Sequence, residues 1–133
     1  MVELAIVLVV LGVILGLAMP DLRSAGDAAS VRSAVTSTVA TLVAARHTAI
    51  ARGAMSTVRV DTARGRILVL AAAETVLVRD LRDAHGVRLG ATRLELRYTP
   101  NGLGYGASNT RLTIGRGRFA DTVIVSRLGR VRH

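Results

Sequence analysis

The chain has no cysteine, no lysine, no tryptophan and only two prolines, Pro20 and Pro100. Without cysteine there is no disulfide framework, no thiolate nucleophile and no thiolate metal ligand. Every redox compartment therefore stays open. Aromatic residues are nearly absent as well, with only Tyr98, Tyr105 and Phe119. A core must then be built from Val, Leu, Ile and Ala. A stack of aromatic platforms for single-stranded bases is not provided for. With no lysine, all 18 basic residues are arginine, against nine acids, for a formal net charge of +9. Arginine is always charged and forks onto carboxylate and phosphate. A GC-rich genome would give the same arginine usage without any functional cause.

What the chain does have is a long apolar start. Residues 1–20, MVELAIVLVVLGVILGLAMP, carry one charge, Glu3, and one proline, Pro20. A bilayer core takes about 20 apolar residues in a helix. A carboxylate at the edge of such a helix is costly unless a cation answers it, and intramembrane charge is a functional pointer by default. The run fits poorly as a secretory signal. Its beginning holds Glu3 and no base, and Gly16-Leu17-Ala18 is a weak match to a cleavage site. The first base, Arg23, follows the run, which by the positive-inside rule would keep the remainder cytoplasmic. The reading preferred here is that a short basic leader belongs upstream of Met1. Gly12 and Gly16 form a Gly-x-x-x-Gly pair, spacing that lets membrane helices approach closely.

Beyond Pro20 the pattern stays helical. Val31, Val35, Val39, Leu42, Val43 and Ile50 recur at helical spacing as one stripe, continued by Arg46, whose long stem such a stripe tolerates. Gly53 is a natural C-terminal stop. The reading is one helix over both halves, bent near Pro20. After Gly53 the period changes to two. Strands are expected at 55–61, 66–70, 74–81, 92–98, 111–114 and 122–127, with a hairpin turn at 62–65, a polar loop containing Gly86 and Gly90, and a Gly-rich turn at 101–109. Strands in a block after a helix give an α+β fold. The expected divisions are 1–20, an amphipathic half-helix at 21–53, and a β-domain at 54–133.

The search for chemistry returns little. His47, His85 and His133 share no metal-ligand spacing. No nucleophile elbow and no acid–base carboxylate pair stands out. Gly102, Gly104 and Gly106 are not followed by a helix, so they read as a turn rather than a phosphate cradle. No cofactor or metal is implied. The end of the chain is basic: Arg111, Arg116, Arg118, Arg127, Arg130 and Arg132 against Asp121. Such a face could hold DNA phosphates without reading sequence, contact another subunit, meet anionic headgroups, or simply be solvated.

The motifs together resemble a known family. Val2-Glu3-Leu4, the apolar run and Pro20 at its spacing from the glutamate are similar to the N-terminal helix of type IV pilins and type II secretion pseudopilins. Arg46, Ala49, Ile50, Arg52 and Gly53, then Tyr98, Pro100 and Gly102, then Gly129, Arg130 and Val131, resemble the GspH/FimT branch of minor pseudopilins and minor pilins. The resemblance implies a subunit without enzymatic activity, held in the bacterial inner membrane by a single pass, with its β-domain in the periplasm. It implies assembly with other pilins or pseudopilins, Glu3 meeting the N-terminal amine of a neighbour, with Gly12, Gly16 and Pro20 in the filament-core helix. It implies a leader removed by prepilin peptidase. It also leaves two branches open. One is a secretion pseudopilin that initiates or caps a pseudopilus. The other is a FimT-like pilin that binds DNA through the terminal arginines, where Gly129-Arg130-Val131-Arg132 fits a Gly-Arg-x-Arg pattern.

Overall fold

A computed structural model describes residues 1–106 and 109–133. One helix, α1 (Val2–Arg52), opens the chain and runs through Pro20 without interruption. At 51 residues it is about 75 Å long. Proline removes one backbone donor, so the carbonyl one turn back, at Gly16, lacks its usual partner. Gly53 ends the helix in the left-handed conformation, φ 56°, and its N–H donates to the Ala49 and Ile50 carbonyls.

Seven antiparallel pairings among strands follow, split between two sheets. The first sheet has β1 (Ser56–Asp61), β2 (Arg66–Ala71), β3 (Glu74–Asp80), β5 (Glu95–Tyr98) and β6 (Gly104–Tyr105), in the order β3-β2-β1-β5-β6. The second has β4 (Arg88–Ala91), β7 (Thr110–Arg116), β8 (Phe119–Val125) and β9 (Val131–Arg132), in the order β4-β7-β8-β9. A short helix, α2 (Leu81–His85), joins β3 to β4. The α+β architecture expected from the sequence is therefore present, with α1 packed across antiparallel sheets.

Several boundaries differ from the expected ones, each for a local reason. The strand expected to reach Leu81 stops at Asp80, whose carboxylate caps α2 by accepting from the Asp83 N–H at 2.9 Å. The stretch around Gly90, expected as loop, is β4, paired with β7 from Arg88↔Gly115 to Ala91↔Leu112. The strand expected from Thr92 begins only at Glu95. β7 extends to Arg116, and β8 begins at Phe119 and ends at Val125 rather than running from 122 to 127. The Gly-rich turn contains β6, and two of its residues, Ala107 and Ser108, lie outside the described residues.

The core lies between the second part of α1 and the two sheets. Val31, Ala34, Val35, Leu42, Ala45 and Ala49 of the helix meet Val58, Val60, Ile67, Val69, Leu96, Leu112, Ile114, Val123 and Val125 of the strands. This face is not quite the expected stripe. Val31, Val35 and Leu42 are on it and Val39 is half-buried beside it, but Val43 and Ile50 are exposed, at 43% and 48%. Their places are taken by small residues, Ala34, Thr38, Thr41, Ala45 and Ala49. The threonines are buried without an unmet hydroxyl. Thr38 Oγ1 donates to the Ala34 carbonyl at 2.8 Å and Thr41 Oγ1 to the Ser37 carbonyl at 2.7 Å. Ser56, at the head of β1, donates to the Ala45 carbonyl at 2.7 Å and ties sheet to helix.

Candidate functional site

The N-terminal part of α1 stands clear of the domain. Residues 2–23 are exposed throughout, and the most apolar 18-residue window has a mean hydropathy of 2.8 with none of it buried. This helix is long and apolar enough to cross a membrane. Glu3 lies in its first turn. Gly12 and Gly16 have nothing within 4 Å of where a Cβ would stand, so both present bare backbone. Apolar surface of this extent on a small protein marks contact with lipid or another chain.

The domain grips the helix from Asp27 onward. Arg116, at the end of β7, reaches inward. Its Nε lies 2.8 Å from Asp27 Oδ1, and its Nη1 donates to Ser30 Oγ at 3.1 Å and to the His85 carbonyl at 2.6 Å. His85 closes the group, its ring Nε2 3.3 Å from Ser37 Oγ. One guanidinium thus joins α1, α2 and β7. Two glycines keep room for it. A Cβ on Gly86 would stand 2.8 Å from Arg116 Nη1, and one on Gly117 would stand 2.5 Å from Asp27 Oδ2. Arg116 is thus not a free anion-binding group like the terminal arginines: its Nε and Nη1 are committed to the fold.

The remaining arginines of that group separate into two places. β7 and β8 each span seven residues, so their ends lie about 20 Å apart. Arg118 sits in the β7–β8 turn, its guanidinium carbon 5.2 Å from the centre of the Phe119 ring. Arg111 lies at the opposite end, across from Ile124, and Ile124 lies across from Arg132. Arg127 and Arg130 belong to the turn between β8 and β9 and are exposed. Arg111, Arg127, Arg130 and Arg132 make no ion pair among the described residues. They therefore form one basic end, and Arg118 belongs to another.

Beside that basic end runs a groove of about 680 Å³. Val39, Val43 and Ile50 form its helical wall, and Gly129 to Arg132 its other wall, with Arg46 and His47 between. The apolar residues that the stripe assigned to the sheet thus face an open cleft.

The three downstream motifs meet at one node. A Cβ on Gly102 would stand 2.8 Å from Ile50 Cδ1 and 3.0 Å from Arg46 Nε. One on Gly129 would stand 3.0 Å from Tyr98 Cε1 and 3.4 Å from the Gly102 carbonyl oxygen. Gly102 and Gly129 both have φ 73°, a conformation glycine adopts freely. Tyr98 is buried at the centre with its hydroxyl unpartnered among the described residues. Burial pushes that hydroxyl up to about 12, with the Arg46 guanidinium opposing. Arg46, Ile50, Tyr98, Gly102 and Gly129 are thus an architectural joint between helix and both sheets.

An exposed apolar helix leading into a helix-on-sheet domain defines a pilin-like subunit. The chain belongs to the GspH family, described as type II transport protein GspH, whose model matches residues 34–129. It is a minor pseudopilin of the type IV pilin-like class. The fold is similar to the type IV minor pilin FimU of Pseudomonas aeruginosa, with a TM-score of 0.64 at 19% identity over 77% of this chain and 86% of that one. It is also similar to the minor pseudopilin EpsH of the Vibrio cholerae type 2 secretion system, with a TM-score of 0.61 at 19% identity over 77% of this chain and 94% of that one. A comparison with curated proteins finds no match.

Proposed function

We propose that this chain is a non-enzymatic minor subunit of a type II secretion pseudopilus. Residues 2–19 anchor it in the bacterial inner membrane, and the part from Asp27 onward folds in the periplasm. During assembly the anchor leaves the bilayer for the core of the filament, where it packs against other pseudopilins. The observation that carries this reading is the helix itself, apolar and fully exposed for some twenty residues and then gripped by the domain. Two further features support it. Gly12 and Gly16 offer close approach to neighbouring helices. The groove wall of Val43 and Ile50 leaves apolar surface for an adjoining subunit. Processing by a prepilin peptidase belongs to the same reading.

Glu3 is assigned to assembly rather than insertion. Removing its charge makes membrane insertion easier, so a defect in Glu3→Ala must arise later. The variant is expected to remain in the membrane fraction and to lose most crosslinks to neighbouring pseudopilins. Wild-type crosslinking by the variant would remove the role.

A second reading, a FimT-like pilin that binds DNA, is favoured by the unpaired end formed by Arg111, Arg127, Arg130 and Arg132. If that end binds duplex DNA, affinity should fall with salt at roughly −0.9 per phosphate contact on a log–log plot. Replacing Arg130 and Arg132 with Gln should flatten the slope by about two contacts. It should leave the melting temperature nearly unchanged, because exposed charges contribute little to folding. Binding that is weak and indifferent to the double substitution would favour the secretion subunit.

A further inference from the structure

The β7–β8 turn lies level with the place where the apolar helix ends. A shallow recess of about 270 Å³ is lined by Pro20, Asp21, Arg23 and Ser24 of α1 and by Arg118 and Phe119 of the turn, with Asp27 at its back. Gly117, at φ 57°, sets the turn against Asp27, whose carboxylate would have to move for any side chain there. The apolar run ends at Met19. At 1.5 Å per residue, Arg23 is about 6 Å beyond it and Asp27 about 12 Å. A leaflet's headgroup layer is about 5–8 Å thick. With residues 2–19 across the hydrocarbon, the mouth of the recess, from Pro20 to Arg23, lies among the headgroups, and its back at Asp27 lies just beyond them.

Its chemistry suits that position. Arg23 and Arg118 are exposed and make no ion pair among the described residues. The charge of Asp27 is answered by Arg116 at 2.8 Å. Asp21 is the one acid lining the recess without an ion-pair partner among the described residues. Arg88, level with Gly115 in the β4–β7 ladder, adds a third guanidinium at the same end of the sheet. Phe119, partly buried beneath Arg118, gives the turn an apolar body with a cationic tip, the combination that settles at membrane interfaces.

The geometry points to this recess as a binding site for the phosphate of an anionic phospholipid, held between Arg23 and Arg118. The contact lays the β7–β8 turn on the membrane surface and fixes the tilt of the domain while the subunit waits in the bilayer. It is separate from the basic end at Arg111 and Arg132, about 20 Å away along the strands. It rests on the reading of residues 2–19 as a membrane span.

The absence of cysteine makes a direct test clean. The full chain carrying a single cysteine at Ala120, an exposed position beside the turn, is labelled with a fluorophore and inserted into nanodiscs containing headgroup-spin-labelled lipid. Quenching is expected to be roughly twofold stronger in phosphatidylglycerol-rich discs than in phosphatidylcholine discs, since each arginine near an anionic surface adds attraction. It should drop to the phosphatidylcholine level in Arg23→Gln/Arg118→Gln, and also at about 0.5 M salt, where the screening length is about 4 Å. Inorganic phosphate at constant ionic strength should leave it unchanged. Equal quenching in both lipids, or full quenching in the double variant with an unaltered melting temperature, would overturn the proposal. Displacement by inorganic phosphate would overturn it in favour of a free-anion site. A second label at Ile6, read against acyl-chain spin labels, reports the span separately. Loss of quenching at Ile6 sinks the membrane reading, whereas quenching at Ile6 with none at Ala120 sinks only the recess.

Discussion

Leu42→Ala should destabilise the domain by about 2–5 kcal/mol, the usual range for emptying a fully buried leucine position, whereas Val43→Ala should change stability by no more than about 0.5 kcal/mol. The two residues are neighbours in sequence and lie in the same apolar stretch. Leu42 is wholly buried against the sheets, while Val43 is 43% exposed on the groove wall. A cavity left by Leu42 cannot collapse easily, because its neighbours on the helix face are Thr38, Thr41 and Ala45, already packed without exposure. Thermal unfolding of the detergent-solubilised chain, followed through its β signal, measures both variants. Equal losses would mean that the helix is rotated about its axis relative to the arrangement described here. Because Val43 faces the groove, its substitution by Asp should instead weaken crosslinking to other subunits while sparing the fold.

The same contrast shows where the sequence is legible and where it is not. Helical rhythm marks α1, its end at Gly53 and its apolar first part, because those signals are strong and repeated over many residues. Hydrophobicity alone does not mark the buried face. Alanine and threonine won the closest positions because the helix lies near the sheets, and each threonine satisfies its own hydroxyl on the preceding turn. Val43 and Ile50, bulkier and more apolar, were left on the flank. Short elements were hidden for other reasons. α2 is five residues long and announces itself only through the Asp80 cap and Gly86. The β2–β3 turn is made by Ala72 and Ala73, both at positive φ, 52° and 66°. Alanine gives no hint of such a turn, for which Asn-Gly is the usual signal.

The candidate site was legible as composition but not as geometry. The arginine count near the C-terminus suggested one basic face. The hairpin of β7 and β8 places Arg116 and Arg118 at the end near Pro20 and carries Arg111 away from them, and the inward side of β7 turns Arg116 into an ion pair with Asp27. No spacing rule within one strand reveals a partner 89 positions earlier. The Arg46–Ile50, Tyr98–Gly102 and Gly129 motifs were visible as separate pieces. Only the fold makes them one joint, and the glycines in it explain themselves by what a side chain would strike.

That joint supplies the second large effect. Gly104→Ala should cost about 3 kcal/mol, near the upper end for forcing an extra group into a packed site. Gly104 lies in β6, paired with Tyr98 of β5. Its backbone is not in the left-handed region, so conformational strain is not the cause. The obstacle is backbone: a Cβ would stand 2.8 Å from the Arg127 carbonyl oxygen, 3.5 Å from its carbon and 3.6 Å from the Gly129 nitrogen. None of these can swing aside as a side-chain tip would. Either β6 leaves β5, or the β8–β9 turn moves away from Tyr98. Gly90→Ala is the control, since its Cβ would meet Thr113 at an ordinary 3.8 Å within the β4–β7 ladder, and it should be neutral to within about 0.5 kcal/mol. For a domain of this size each kcal/mol moves the melting temperature by about 4–8 °C, so the two variants should separate by well over 10 °C. Displacing the β8–β9 turn also moves Arg127 and Arg130, so any DNA affinity of the basic end should fall in Gly104→Ala although no arginine has been changed. A Gly104→Ala protein that melts with Gly90→Ala would show that the two sheets are not locked together at this joint.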